Sequence, residues 1–399
     1  MNDADLAQRF AELSAVLCEG QRWWKPRAFV ERELPWEAVH PDVSACLRAL
    51  PLEQSERLAS DDETLANFLA PWIPIANDLL ALCKVPTATA LRQSQTKVRE
   101  PMDVPGRKWQ QIQTFVGALE HTDLPAVEWC SGKAHLGRWY AQQNHVVVDA
   151  LEWNSALVDA GNRLSVKSCQ SVHVHHVDVL SSSAAEFLQA NRHVLALHAC
   201  GQLHVHLLQL CASSRPVRRL TLAPCCYHLV PFDTYQPMSR AANSVGFSLD
   251  KLDLHTAIQE SVTSPERILK QRRQLQSWRL GFDQLQRDVR GVDTYIVTPS
   301  VPLTVLRGGF AAFCVDMAAR KQIALPANVD FASYERHGVR RFVEVNALDL
   351  PRVLFRRALE LWLVLDRALY LQQNGYRVTI ATFCDRALTP RNLLIQAVR

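Results

Sequence analysis

Apolar residues recur with helical spacing at Leu6, Phe10, Leu13 and Leu17, and again at Leu65, Phe68, Leu69 and Trp72. The chain from Met1 to about Ser94 therefore reads as helical, cut into short pieces by Pro71, Pro74 and Pro86. Residues from about 95 to 108 are polar and hold Pro101, Pro105 and Gly106, the composition of a linker or loop. A helix then opens at Arg107-Lys108-Trp109 and runs through Ile112, Phe115, Val116 and Leu119. Beyond it the period changes. Short apolar runs at Ala126 to Glu128, His145 to Leu151, Val172 to His176, His193 to Leu197 and Arg219 to Ala223 read as strands. Helical patterns at 136–142, 155–164, 184–190 and 203–211 separate them. Strands alternating with helices predict an α/β fold with a doubly wound, Rossmann-like parallel sheet.

The alternation lapses between about 232 and 345, where helical segments such as Pro265 to Phe282 carry Arg267, Lys270, Arg272, Arg273 and Arg279. Such a run is ordinarily a solvated helix face; a lid over nucleic acid is the sharper alternative. Regularity returns with a helix from Pro351 to Gln373, its stop at Gly375, a strand from Arg377 to Phe383, and the segment Asp385 to Asn392. A late helix and strand suit one domain with an insertion. The expected organisation is an N-terminal helical region over 1–105 and an α/β domain over 106–399, interrupted by an insertion at about 232–345.

Composition narrows the partners. Hydrophobic residues make up 48% of the 399 residues and charged residues 21%, a globular balance. The net charge of +4 permits a nucleic-acid partner without demanding one. Eleven scattered cysteines without a signal peptide suggest reduced thiols and a cytoplasmic location. The longest apolar stretch, Leu359 to Leu371, contains Glu360, Asp366 and Arg367, so it reads as a buried helix and not a membrane span. The cluster Trp23-Trp24-Lys25-Pro26-Arg27 reads as a helix cap on a core, with a nucleic-acid contact as the alternative.

Ligands of an open parallel sheet bind outside the carboxyl ends of its strands. Every unusual cluster of this chain falls at such an end: Glu128 to Gly132, Asp149 to Glu152, Asp178, His198 to Gly201 and Pro224 to His228. An acid after the second strand suits ribose hydroxyls; Glu152 is preferred over Asp149. Asp178 suits an adenine amino group or an ordinary helix cap. The first turn has one glycine where dinucleotide folds have three, and no phosphate-binding pattern follows it, which disfavours a pyrophosphate ligand. A smaller nucleoside makes weaker demands on the glycines.

Glu128-x-Cys130-Ser131-Gly132-Lys133-Ala134-His135-Leu136-Gly137, then Leu197-His198-Ala199-Cys200-Gly201, then Ala223-Pro224-Cys225-Cys226-Tyr227-His228 resemble, in order, three motifs of a class I methyltransferase family. That family includes the glutathione-S-transferase-C-terminal-domain-containing proteins. The chain is also similar, more distantly, to tRNA acceptor-stem 2′-O-methyltransferases. Asp385 through Asn392 resembles the family's closing strand region. Ala134 stands where the family has glycine, and Arg107-Lys108-Trp109 only partly matches its opening helix. The resemblance implies S-adenosylmethionine as cofactor, held by Glu128, Cys130, Ser131, Gly132, Lys133, His135, Leu136, Glu152, Trp153, Asp178, Val179 and His198. It implies an RNA acceptor, with tRNA first, and catalysis among His198, Cys200, Cys225, Cys226 and His228.

Two chemistries stay open. A histidine orients or deprotonates a hydroxyl or amine for in-line transfer, or a cysteine thiolate attacks a pyrimidine ring. The first is favoured, with a purely structural role for the cysteines as the bland alternative. A zinc site is the rival from another class: the histidines are dense (His173, His175, His176, His193, His198, His204, His206) and Cys225, Cys226 and His228 add soft ligands. But His173 and His175 alternate on a strand and Cys225-Cys226 are adjacent, which fits zinc spacing poorly, so no obligate metal is expected. A small-molecule methyltransferase and a non-catalytic scaffold binding S-adenosylmethionine or RNA remain as alternative functions.

Overall fold

The computed structural model describes residues 1–3, 5–88, 104–213, 217–259 and 266–399. The linker expected over 95–108 thus lies mostly outside the described residues, as does Pro265. The chain divides into two compact units. One comprises Met1–Cys18, Ala81–Glu260 and Arg356–Arg399, the other Glu19–Leu80 and Ser261–Phe355.

The first unit is built on a seven-stranded sheet: β1 Ala126–Trp129, β2 Val148–Glu152, β3 Val172–His176, β4 His193–Cys200, β5 Arg219–Cys225, β6 Arg377–Thr382 and β7 Leu393–Val398. Their order is β3-β2-β1-β4-β5-β7-β6. β1 to β5 are parallel, whereas β7 runs antiparallel to both β5 and β6. The five strands expected to form a parallel sheet do so, and β7 adds an antiparallel strand outside that expectation. Leu393-Leu394-Ile395 enters the sheet backwards, and Asp385 to Asn392 is a loop before β7. The chain winds outward from β1 through β2 to β3, then restarts on the other side with β4, so the topological switch point lies between β1 and β4.

Among the described residues, the longer helices of this unit are α1 Leu6–Glu19, α2 Gly106–Gly117, α3 His135–Asn144, α4 Ser155–Lys167, α5 Gln202–Ala212 and α6 Arg356–Gln373. Trp109, Ile112 and Phe115 of α2, Trp139 and Tyr140 of α3 and Val158 of α4 join Val148, Val174 and Leu195 of the sheet in one core. α6 packs with α5, β6 and β7. Its Trp362 meets Phe10 of α1 at 5.2 Å and donates to Ser14 Oγ at 2.9 Å. The helix expected from 351 is interrupted at Phe355, and α6 begins at Arg356. The helix expected over 184–190 is a short 3-10 turn, Ser182–Phe187.

α6 buries its charges as well as its leucines. Asp366 accepts from Tyr235 Oη at 2.5 Å, Met238 N at 2.9 Å and Ser239 N at 2.7 Å. Arg367 lies over the Tyr227 ring at 4.9 Å and donates to His204 Nε2 at 2.9 Å and Tyr235 Oη at 3.1 Å. Buried charges with this many partners are compensated, so a polar core survives where a lone charge could not.

In the second unit, helices Glu266–Arg290 and Phe331–Leu348 cross closely. A Cβ on Gly338 would lie 2.2 Å from the Ser277 carbonyl oxygen, so only glycine permits the approach. Trp278, Phe282, Phe310, Phe313 and Met317 fill its core. In the basic run, Arg273 pairs with Glu56 at 2.7 Å and Arg279 donates to the Pro299 carbonyl at 3.4 Å. Trp23 and Trp24 are buried, with Trp23 against Trp36 at 5.4 Å, which favours the helix-cap reading of that cluster and withholds both rings from base stacking. Among the described residues, no helix is long and apolar enough to cross a membrane.

Candidate active site

Left-handed backbone concentrates at the carboxyl ends of the parallel strands. Cys130 (φ +58°), Gly132 (+58°) and Ala134 (+55°) follow β1; His198 (+68°) and Gly201 (+53°) mark the end of β4; Cys226 (+49°) follows β5. Each non-glycine residue there costs about 1–2 kcal/mol, a strain that folds retain mostly at functional sites.

Three contacts fix the turn after β1. Ser131 N donates to the Leu151 carbonyl at 2.9 Å. Gly132 N donates to Glu152 Oε2 at 2.8 Å, and the other oxygen of Glu152 accepts from Asn154 N at 2.9 Å. Gly137 N donates to Glu128 Oε2 at 2.8 Å. A Cβ at Gly137 would stand 2.6 Å from that oxygen, so the glycine admits the carboxylate to the first turn of α3. Burial pushes the Glu128 carboxyl up to about 8, with the Gly137 N–H pulling the other way. Glu128 therefore braces the turn from beneath. His135 and Leu136 are also buried: His135 Nδ1 meets Arg138 Nη2 at 2.7 Å, and Leu136 belongs to the core.

The open side of the turn is different. A Cβ on Gly132 would meet nothing within 4 Å. Ser131 Oγ is enclosed yet has no hydrogen-bond partner among the described residues. Buried hydroxyls are nearly always satisfied, so an orphan beside open space suits a ligand. Trp153, 73% exposed, follows Glu152. Asp178, also exposed, accepts from Leu180 N at 2.9 Å, and Val179 behind it is buried.

Asp149 faces other partners. Its carboxylate accepts from Arg192 Nη1 at 2.8 Å and contacts His175 Nε2 at 2.8 Å. Of the two acids at β2, only Glu152 touches the β1 turn.

The turns after β4 and β5 are joined. Gly201 N donates to the Cys225 carbonyl at 3.0 Å, and Gln202 N to the Leu229 carbonyl at 2.8 Å. His204 Nδ1 bonds the Ala199 carbonyl at 2.8 Å, so its Nε2 accepts from Arg367. His198 Nε2 contacts Gln111 Oε1 at 3.0 Å, while Gln111 Nε2 donates to the Leu388 carbonyl at 3.3 Å. Because the Gln111 oxygen must accept, His198 carries its proton on Nε2 and presents Nδ1 as an acceptor. Desolvation, then Lys108, lowers the His198 pKa. Sequence reasoning missed Gln111; a neutral amide inside a helix gives no signal. Arg107 is tied down by the Leu388 and Ala387 carbonyls at 2.9 and 2.7 Å.

Cys200 Sγ and Cys225 Sγ are 3.3 Å apart, and Cys226 joins them. Cys226 is held far below the usual thiol range by hydrogen bonds from Cys200 and Cys225, with His228 and Arg391 assisting, while Cys225 is pushed far up. Burial raises Cys130 to about 12, which makes it an unreactive thiol. Several other histidines sit apart in roles of their own: His193 bridges Tyr140 Oη and Thr221 Oγ1 at 2.8 and 2.9 Å, and His176 Nε2 donates to the Trp153 carbonyl at 2.7 Å. All eleven cysteines are free thiols.

Residues 107–232 match the model of a family described as a methyltransferase domain. No curated protein matches the chain. Similar solved structures include a geranyl diphosphate methyltransferase with GPP and sinefungin (13% identity, 29% of this chain and 44% of that one, TM-score 0.24). They include TrmK of M. capricolum with S-adenosylhomocysteine (11%, 28% and 50%, 0.23). A third is the 23S rRNA methyltransferase ErmE (16%, 28% and 44%, 0.24). The chain thus spans half or less of the length of these three proteins. By the sequence match, the sheet unit carries a methyltransferase domain.

Proposed function

We propose that this chain is an S-adenosylmethionine-dependent methyltransferase acting on RNA, with tRNA as the first acceptor class, in the cytoplasm. The observation that carries the reading is the β1 turn: three left-handed residues, an orphaned Ser131 hydroxyl and open space at Gly132, anchored by Glu152. A nucleoside fits that set. Bound S-adenosylmethionine supplies the methyl group. The turn from Cys130 through Lys133 would hold its methionine end, with the unpartnered Ser131 Oγ free to bond it. Glu152 would hold the ribose hydroxyls through its remaining lone pairs, and Asp178, Val179 and Trp153 would hold the adenine. Glu128, His135 and Leu136 support the turn from the protein side.

On this reading the acceptor lies against His198, Cys200, Cys225, Cys226 and His228. His198, oriented by Gln111, holds the acceptor hydroxyl or amine in line through Nδ1. The domain runs from 106 to 399 with an insertion at about 232–345, after an N-terminal helical region over 1–105. Its relatives are the glutathione-S-transferase-C-terminal-domain-containing methyltransferases and, further off, the acceptor-stem 2′-O-methyltransferases. The modest charge of +4 keeps a small-molecule acceptor as the second reading. Incubation of the full chain with methyl-labelled S-adenosylmethionine and separate tRNA, rRNA and small-metabolite pools tests the choice. Label in tRNA supports the proposal; label confined to metabolites supports the second reading and overturns the first.

A further inference from the structure

Consecutive residues of a strand point to opposite sides of the sheet. A Cys-Cys pair in extended chain therefore cannot deliver both thiols to one point. Here Cys226 is left-handed, and this reversal returns its sulfur to the side of Cys225. Cys200 is the register partner of Cys225 across β4 and β5. The three sulfur atoms all lie within 4.8 Å of one another, with those of Cys200 and Cys225 at 3.3 Å.

We propose that Cys200, Cys225 and Cys226 are thiolate ligands of a single soft divalent cation, with zinc as the fitting ion. Zn–S bonds of about 2.3 Å at tetrahedral angles set the sulfurs about 3.8 Å apart. The Cys200–Cys225 separation of 3.3 Å and the 4.8 Å limit on the whole set are compatible with that distance. A disulfide needs about 2.05 Å and only two sulfurs, and it gives no reason for the strained backbone at Cys226. Binding is an exchange without redox change. Each protonated thiol that ligates releases its proton to solvent as its S–metal bond forms. Cys200 and Cys226 are only half-buried, so the site is not sealed. Three protein ligands with a solvent-facing fourth position is the pattern of zinc sites that bind and polarise a reacting group. Such an ion would sit at the end of the sheet assigned to the acceptor. The ligand set stands on the thiol geometry alone and holds whether or not the chain binds S-adenosylmethionine.

The test is metal analysis of the full chain purified without chelator, followed by zinc uptake in competition with a chromophoric chelator. Cobalt substitution adds an optical readout of thiolate coordination. About one zinc per chain is expected. Content falls about tenfold or more in Cys200→Ser, Cys225→Ser and Cys226→Ser, and stays unchanged in the remote Cys169→Ser. Circular dichroism melts confirm that each variant is folded. The cobalt form shows sulfur-to-metal charge transfer that each ligand variant loses. Folded wild-type chain that neither carries nor takes up zinc overturns the proposal. So does a Cys200–Cys225 disulfide found by mass mapping of the protein as isolated, or zinc retained in all three serine variants.

Discussion

Glu152 accepts the Gly132 N–H at 2.8 Å, which locks the end of β2 to the left-handed turn after β1. The contact shapes the turn, and on the proposed function the same carboxylate also holds the ribose. Glu152→Gln places an amide where two backbone N–H groups need acceptors. Affinity for S-adenosylhomocysteine is expected to fall at least about tenfold, roughly 1.4 kcal/mol. Asp149→Asn weakens the ties to Arg192 and His175 and leaves the affinity within about twofold. Titration of both variants checks the pair. Equal losses would return Asp149 to the site.

The glycines and the alanine of these turns separate strain from collision. Gly132→Ala meets no neighbour, so it costs only the left-handed backbone, about 1 kcal/mol. Gly201→Ala sets a Cβ 2.1 Å from the Leu229 carbonyl oxygen and is expected to cost about 3 kcal/mol or more. Ala134→Gly relieves a strain already present and stabilises by about 0.5–1 kcal/mol. Urea unfolding of the three variants supplies the comparison; a Gly201→Ala cost no larger than that of Gly132→Ala contradicts it.

Glu128 makes stability depend on pH. Its folded pKa of about 8 lies above the ordinary 4.5, so the folded state holds a proton that the unfolded state has released between those values. The contribution is fully present below about 4.5 and is lost as pH rises through about 8. Glu128→Gln keeps an acceptor for Gly137 N–H and removes the ionisation. Its melting temperature is expected to exceed that of the wild type above pH 8. An unchanged pH profile contradicts the assignment.

His193 acts on the acid side. Buried between Tyr140 and Thr221, its folded pKa is lowered to about 3 from 6.5, chiefly by desolvation. Between those values the unfolded chain binds the extra proton. The stability is fully present above pH 6.5 and is lost as pH falls toward 3. His193→Gln is expected to flatten the stability slope between pH 6 and 4 by up to about one proton. A slope unchanged from wild type would mean that this imidazole does not stay neutral in the fold.

Much of this was legible in the chain. The apolar runs at Val127, Val148, Val174, Leu195 and Leu222 read as strands and are strands, and their ends carried the polar clusters. β7 was missed although Leu393-Leu394-Ile395 offered a clear apolar run, because a strand entering antiparallel breaks the βα rhythm used to find the others. The sequence preferred Glu152 over Asp149 for its spacing to Gly161, while the partners of Asp149, Arg192 among them, are remote in sequence and gave no signal. Gln111 gave no signal at all. Cys225, Cys226 and His228 stand out in the sequence, but the adjacent cysteine pair fits zinc spacing poorly there; the left-handed backbone of Cys226 is what lets its sulfur join those of Cys200 and Cys225.

Isothermal titration of S-adenosylmethionine and S-adenosylhomocysteine into the full chain tests the central claim most directly. One-to-one binding that is weakened at least about tenfold by Glu152→Gln is the predicted result. A folded wild-type chain that binds neither compound would contradict the account.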